Sequence, residues 1–242
     1  MDPLEEDLKV ASKILEWEIG DIWGHVGARR PAGDGIIVKM FRLPEVENAE
    51  DWLVHFDYSL NKTGGVGQIP AESTIYTEIF KARPDVNAVA HAHAPMCVAL
   101  SMAKKQIKTL HMQSRQFAEG VPIFAKPIYI VDEEEGAALA RALGKGLAVV
   151  IRGHGIVTVG SSVADACFNA VYLERTAKIQ AIANLLGFQN VDDEFLKDLF
   201  ASRKKLLLRH RGRTEDINMF APEWKYYKDK VLKGESWSRG WV

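Results

Sequence analysis

Residues 86–93, VNAVAHAH, carry the reading of this chain, because an apolar strand-like run ends there in His91-Ala92-His93. Alternate residues of a strand project to one face, so both imidazoles can address one ion. A histidine pair alone is also common as core or surface material, and its neighbours decide the matter. Glu72 lies upstream in IPAESTIYTEIF, residues 69–80, and His154 lies downstream in VVIRGHGIVTVG, residues 149–160. The glycines on both sides of His154 allow a tight turn beside an apolar run. Three imidazoles and one carboxylate form a ligand set for one divalent ion, and donors of this type admit zinc, manganese, cobalt or iron.

Outward from that stretch, helical and strand-like patterns alternate. Leu4, Leu8, Ala11 and Leu15 predict an amphipathic helix running to about Ile19. Gly24 to Gly35 reads as a glycine-rich connection, IIVKMF and WLVHF as short strands separated by an acidic loop, and NKTGGVG as a break. Pro70 opens a predicted helix from Ala71 to Ala82, which places Glu72 in its first turn. APMCVALSMA predicts a helix, IFAKPIYIV a strand, EEGAALARALG a helix, and LAVVIRGHGIVTVG two strand pieces around His154. Ser162 and Asp165 have capping-box spacing before a long helix that stops near Gly187. From Asp192 onward the chain predicts a helical, aromatic-rich tail with the basic run Arg203-Lys204-Lys205 and aromatics from Phe220 to Trp241. The expected architecture is α/β, in one domain spanning residues 1–242.

Composition narrows the function classes. The chain has 242 residues, 47% hydrophobic and 26% charged, with a formal charge of −1, which gives no basic footprint for nucleic acid. No apolar run is long enough to span a bilayer, and MDPLEEDLKV lacks the features of a signal peptide, so the expected setting is cytoplasmic, with no membrane partner. Cys97 and Cys167 sit in apolar, helix-like contexts and read as small buried hydrophobes.

IPAESTIYTEIFKARPDVNAVAHAHAP followed by VVIRGHGIVTVGSSVADACFNAVYLERTAKIQAIANLLG resembles the class II aldolase/adducin family over most of residues 4–187. The resemblance implies a single α/β/α domain around a mainly antiparallel sheet flanked by helices. It also implies a homotetramer with sites at subunit interfaces. One divalent ion on His91, His93 and His154 is implied too, with Glu72 as a further ligand and the acid/base group. The sugar-phosphate aldolases of the family hold phosphate with an Asn and a Ser in the first glycine-rich loop. Here that loop reads GHVGARR, with His25 in place of Asn, Gly27 in place of Ser, and Pro70-Ala71 ahead of Glu72 where a Ser pair is usual. The GHV-x-ARRP loop and the aromatic tail resemble instead the branch that decarboxylates hydroxylated aromatic or heteroaromatic acids.

A bound divalent ion acts as a Lewis acid that holds a substrate oxygen and stabilises the enolate left when a neighbouring carbon bond breaks. With that chemistry, the resemblance implies a non-oxidative, metal-dependent decarboxylase of a small hydroxylated aromatic or heteroaromatic carboxylic acid. The alternatives are an aldolase acting on a sugar or its phosphate, and a non-catalytic adducin-like module. Adducin heads lack the metal histidines that this chain retains. Arg29 and Arg30 are candidates for clamping a substrate carboxylate, since guanidinium pairs with planar anions. His25, His111, Tyr226 and Tyr227 are the other substrate-binding candidates, the tyrosines as a phenolic donor or as a lid over a neighbouring subunit's site.

Overall fold

The computed structural model describes residues 2–40, 52–188, 190–209 and 220–235. Phe41, the acidic loop that follows it, and Trp237 and Trp241 of the tail lie outside the described residues. Helix α1 (Pro3–Ile19) starts where the side chain of Asp2 accepts the N–H of Leu4 at 2.8 Å, and it stops at Gly20, which has a φ of 80°. Of its expected apolar stripe, Leu8, Ala11 and Leu15 are fully buried, as is Ile14 beside them, while Leu4 is partly buried.

Among the described residues eight strands form a mixed sheet: β1 (His25–Arg29), β2 (Ile36–Met40), β3 (Leu53–Phe56), β4 (Lys62–Gly65), β5 (Ala88–Ala92), β6 (Ile123–Phe124), β7 (Ala148–Ile151) and β8 (Gly155–Gly160). Their order is β4-β3-β2-β1-β5-β8-β7-β6, and every pairing is antiparallel except β6 with β7. Helices cover both faces. One layer holds α1, α3 (Pro95–Met102) and α5 (Val163–Leu185), packed on Val26, Ala28, Ala88, Ala90 and Ala92. The other holds α2 (Thr74–Ala82) and α4 (Glu133–Leu143), packed on Val38, Val89, Val157 and Val159. The two-residue alternation along β5 therefore sends the alanines to the first layer, and Val89 and His91 to the second. Helix α6 (Asp193–Arg209) follows, and α7 (Ala221–Leu232) docks on α1 and α5 through the Lys228 ion pairs to Glu6 and Asp7 and the hydrogen bond from Tyr172 to Glu223. Both cysteines are free and buried, as expected. No helix among the described residues is long and apolar enough to cross a membrane.

Five local expectations are corrected. The segment read as a connection contains β1, one of the central strands, paired on both sides; its glycine and arginines hid a five-residue strand whose Val26 and Ala28 are core. The NKTGGVG break contains β4, an exposed edge strand. Helix α2 begins at Thr74, because residues 71–73 form a turn in which Ser73 N–H bonds Pro70 O and Ile75 N–H bonds Glu72 O, both at 3.1 Å. Only Ile123–Phe124 of IFAKPIYIV is strand. The capping box before α5 is half made: Ser162 accepts the N–H of Asp165, while the Asp165 carboxylate accepts the hydroxyl of neighbouring Ser161.

Candidate metal centre

His91 is the next-to-last residue of β5, and the pleat aims it at the α2 layer, where the turn before α2 delivers Glu72. His93 follows the end of the strand. His154 sits in the Gly153-His154-Gly155 turn between β7 and β8, closed by the bond from His154 N–H to Ile151 O at 3.0 Å. Gly153 has a φ of +69°, which a residue with a side chain adopts at a cost. One donor atom from each of Glu72, His91, His93 and His154 lies within 4.8 Å of the others. All four sequence-derived ligands thus meet at one point.

The outer nitrogens settle which way the imidazoles face. Nδ1 of His91 lies 3.0 Å from Ile156 O, Nδ1 of His154 2.9 Å from Ile128 O, and Nδ1 of His93 3.0 Å from an oxygen of Asp21. Carbonyls and carboxylates only accept, so each Nδ1 carries the hydrogen and each Nε2 presents a lone pair inward. Nε2 of His91 and of His154 are buried without a hydrogen-bond partner, each 3.5 Å from the same Glu72 oxygen. Lone pairs converging on a carboxylate in a buried place are unfavourable unless a cation lies between them. The residues fit a divalent ion.

Glu72 is fixed from its far side. Its Oε1 accepts the N–H of Ile130 at 2.9 Å, while Thr74 donates to the carbonyl of the same residue at 2.7 Å. Burial opposes charge on Glu72, but the adjoining imidazoles of His154 and His91 and the Ile130 N–H hold its carboxyl well below the usual range. The irregular backbone of residues 128–130 thus orients both Glu72 and His154, which is why the segment expected as strand makes no ladder there.

Asp21 had no signal in the sequence beyond an acid after a helix-ending glycine. Its Oδ2 accepts both the backbone N–H of His93, at 2.9 Å, and the ring Nδ1–H. Burial works against its charge, yet the His93 and Trp23 donors bring its pKa down to about 2. Asp21→Ala should lower metal affinity about 10- to 100-fold with the fold intact, as removal of a partner behind a ligating histidine does; competition with a chromogenic chelator measures it, and an unchanged affinity would dismiss the clamp.

The substrate-binding candidates divide. His25 stands directly across the ladder from His91 with ring centroids 5.1 Å apart, so it belongs to the site. Burial, and next the neighbouring His91, depress its pKa to about 3 and keep the ring neutral. Arg29 is corrected. It lies four residues, about 13 Å, along the strand from His25. Its guanidinium donates to Tyr58 Oη at 2.6 Å and to the carbonyls of Phe80, Arg83 and Val86 at the end of α2, over the Phe80 ring. A cation there satisfies helix-terminal carbonyls. Arg29→Ala should therefore cost about 2–4 kcal/mol of stability and leave metal content unchanged, read by denaturant unfolding and elemental analysis; loss of ligand binding with unaltered stability would restore the clamp. Arg30 is likewise not brought to the cluster, since it pairs with Asp34 in the β1–β2 turn at 3.2 Å. His111 starts a 3-10 helix (Met112–Phe117) and bonds Thr176 on α5 at 3.2 Å. Tyr227 is buried and donates to Glu18, and Tyr226 is exposed beside Lys230, so neither meets the metal cluster of its own chain.

Comparison with known proteins agrees with this geometry. The family model for the class II aldolase and adducin N-terminal domain matches residues 17–181. A 3,4-dihydroxyphthalate decarboxylase of Rhodococcus jostii strain RHA1 is 31% identical over 163 residues, covering 62% of this chain and 67% of that protein. An aldolase II superfamily protein of Pseudomonas syringae superposes with a TM-score of 0.76 at 22% identity, covering 97% of this chain and 95% of the other. An L-fuculose 1-phosphate aldolase of Glaciozyma antarctica PI12 superposes with a TM-score of 0.75 at 24% identity, covering 98% and 92% respectively. With its histidine and glutamate cluster on the matched fold, this chain belongs to the class II aldolase and adducin family.

Proposed function

We propose that the protein is a divalent-metal-dependent decarboxylase of a small hydroxylated aromatic or heteroaromatic carboxylate. The observation that carries this is the inward convergence of three Nε2 lone pairs on Glu72, on a chain 31% identical to a decarboxylase of a dihydroxylated aromatic acid. When bound, a divalent ion supplies a Lewis acid for the charge left as the carbon–carbon bond breaks. Glu72, charged at rest, takes the proton of a substrate hydroxyl at Oε2, and Oε1 stays with Ile130. The bond to the carboxylate carbon breaks, its electron pair remains on the ring carbon, and carbon dioxide leaves. Glu72 then returns the proton to that carbon, which leaves the product as its phenolate, and one proton from solvent restores the hydroxyl.

Assembly into a homotetramer with sites at subunit boundaries is part of this reading. Trp23, Met102, Tyr129 and Val131, close in sequence or space to the metal ligands, are all more than half exposed, which suits cover by another copy. The ring of Tyr129 lies 5.3 Å from that of His154. The test is carbon dioxide release by protein reconstituted separately with zinc, manganese, cobalt and iron(II), using hydroxybenzoates, dihydroxyphthalates and hydroxylated pyridine carboxylates. Release from at least one acid is expected, and it should stop on chelation. Cleavage of a sugar phosphate into two carbonyl fragments, with no release across the acids, would move the protein to the aldolases.

A further inference from the structure

His25 and Tyr76 form a pair for which the fold makes specific room. The Tyr76 hydroxyl lies 2.6 Å from Nδ1 of His25, and Tyr76 is fully buried. Its ring lies where a side chain at position 27 would be: a Cβ on Gly27 would sit 2.6 Å from one ring carbon of Tyr76 and 2.9 Å from another. Glycine in β1 is thus what lets the tyrosine of α2 reach the histidine two residues earlier on the strand.

The pairing fixes the histidine's tautomer. The Tyr76 hydroxyl has no other hydrogen-bond partner among the described residues. If Nδ1 carried the hydrogen, it would donate to the phenol oxygen and leave the buried O–H without an acceptor. If the phenol donates to Nδ1, both groups are satisfied and the ring hydrogen moves to Nε2. Nε2 has no partner of its own among the described residues. His25 faces the same side of the sheet as His91, across the ladder from it. The result is a neutral N–H donor beside the metal ligands.

We propose that His25, held by Tyr76 as the Nε2–H tautomer, is a specificity-determining residue that donates a neutral hydrogen bond to a carboxylate oxygen of the metal-bound substrate. This rests on the metal-centre reading above. One uncharged N–H suits a carboxylate whose charge the metal also shares, whereas a phosphate dianion requires several donors to offset its desolvation.

Long-range proton–nitrogen correlation NMR on selectively labelled protein reads the tautomer with or without metal, so it decides the His25–Tyr76 arrangement even if the metal centre fails. The Nε2–H form is expected in the wild type, and Tyr76→Phe should release that preference. A second arm titrates zinc-loaded protein with 2-hydroxybenzoate. His25→Leu should weaken its binding about tenfold, and Tyr76→Phe about threefold, with zinc content unchanged in both. The double variant should bind no worse than His25→Leu, since the tyrosine acts only through the histidine. An Nδ1–H tautomer in the wild type, or unchanged 2-hydroxybenzoate affinity in a fully zinc-loaded His25→Leu, would overturn the proposal.

Discussion

Replacing His91 and His93 together by alanine should take bound divalent metal from about one ion per chain to a trace, the largest effect expected of any substitution in this protein. Two of four donors vanish, and the remaining His154 and Glu72 lack the geometry to hold an ion alone. Elemental analysis of protein purified in parallel with the wild type reads the loss directly. A thermal measurement adds a check independent of purification. A ligand at about a thousand times its dissociation constant stabilises the folded state by about 4 kcal/mol, so added zinc should raise the wild-type melting temperature and leave the double variant where it was. His91 is fully buried, and its truncation carries some packing cost of its own, which the metal-free comparison isolates. Wild-type stoichiometry in the double variant would refute the site.

Glu72→Gln should abolish most turnover, by about 10²- to 10⁴-fold, because an amide cannot take and return a proton near neutral pH. The structure adds a second consequence. Oε1 already accepts the Ile130 N–H, so a glutamine that keeps this bond must turn its NH₂ group toward the imidazole lone pairs and any ion between them. A glutamine that turns its oxygen inward instead sets two donors face to face at Ile130. Metal affinity should therefore fall about 10- to 100-fold as well, and the kinetic loss must be measured at saturating metal. Near-wild-type turnover under those conditions would transfer the acid/base role to another group.

Part of this outcome was legible residue by residue. The long helices α1 and α5 followed from apolar spacing and end signals, and β5, β7 and β8 from short apolar runs, because burying one face imposes a period on the chain. The four residues of the candidate metal cluster were legible for a related reason: the two-residue strand period places His91 and His93 on one side, and glycine on each side of His154 marks a turn. Strand β1 was not legible. Its five residues carry a glycine and end in an arginine, and what makes them a strand is pairing with β2 and β5, partners distant in the sequence. The span of residues 128–130 misled in the opposite sense. Its apolar, aromatic composition suits a strand, yet its backbone groups bond to Glu72, Thr74 and His154 rather than to a neighbouring strand.

The same division runs through the site. Residue type and spacing by themselves determined that this chain has an α/β fold and one imidazole and carboxylate ligand set, since both depend on periods of a few residues. Which polar side chains join that set was decided only by tertiary structure. Arg29 has the chemistry of a carboxylate clamp, but Tyr58 and the carbonyls at the end of α2 lie against it and take the hydrogen bonds of its two terminal nitrogens. Asp21 has no motif around it, and Tyr76 lies in a motif that gave it no role; both matter because folding brings them to the outer nitrogens of His93 and His25. A hydrogen bond is decided within about 3 Å, and across 51 or 72 residues of separation only the packed fold sets distances that small.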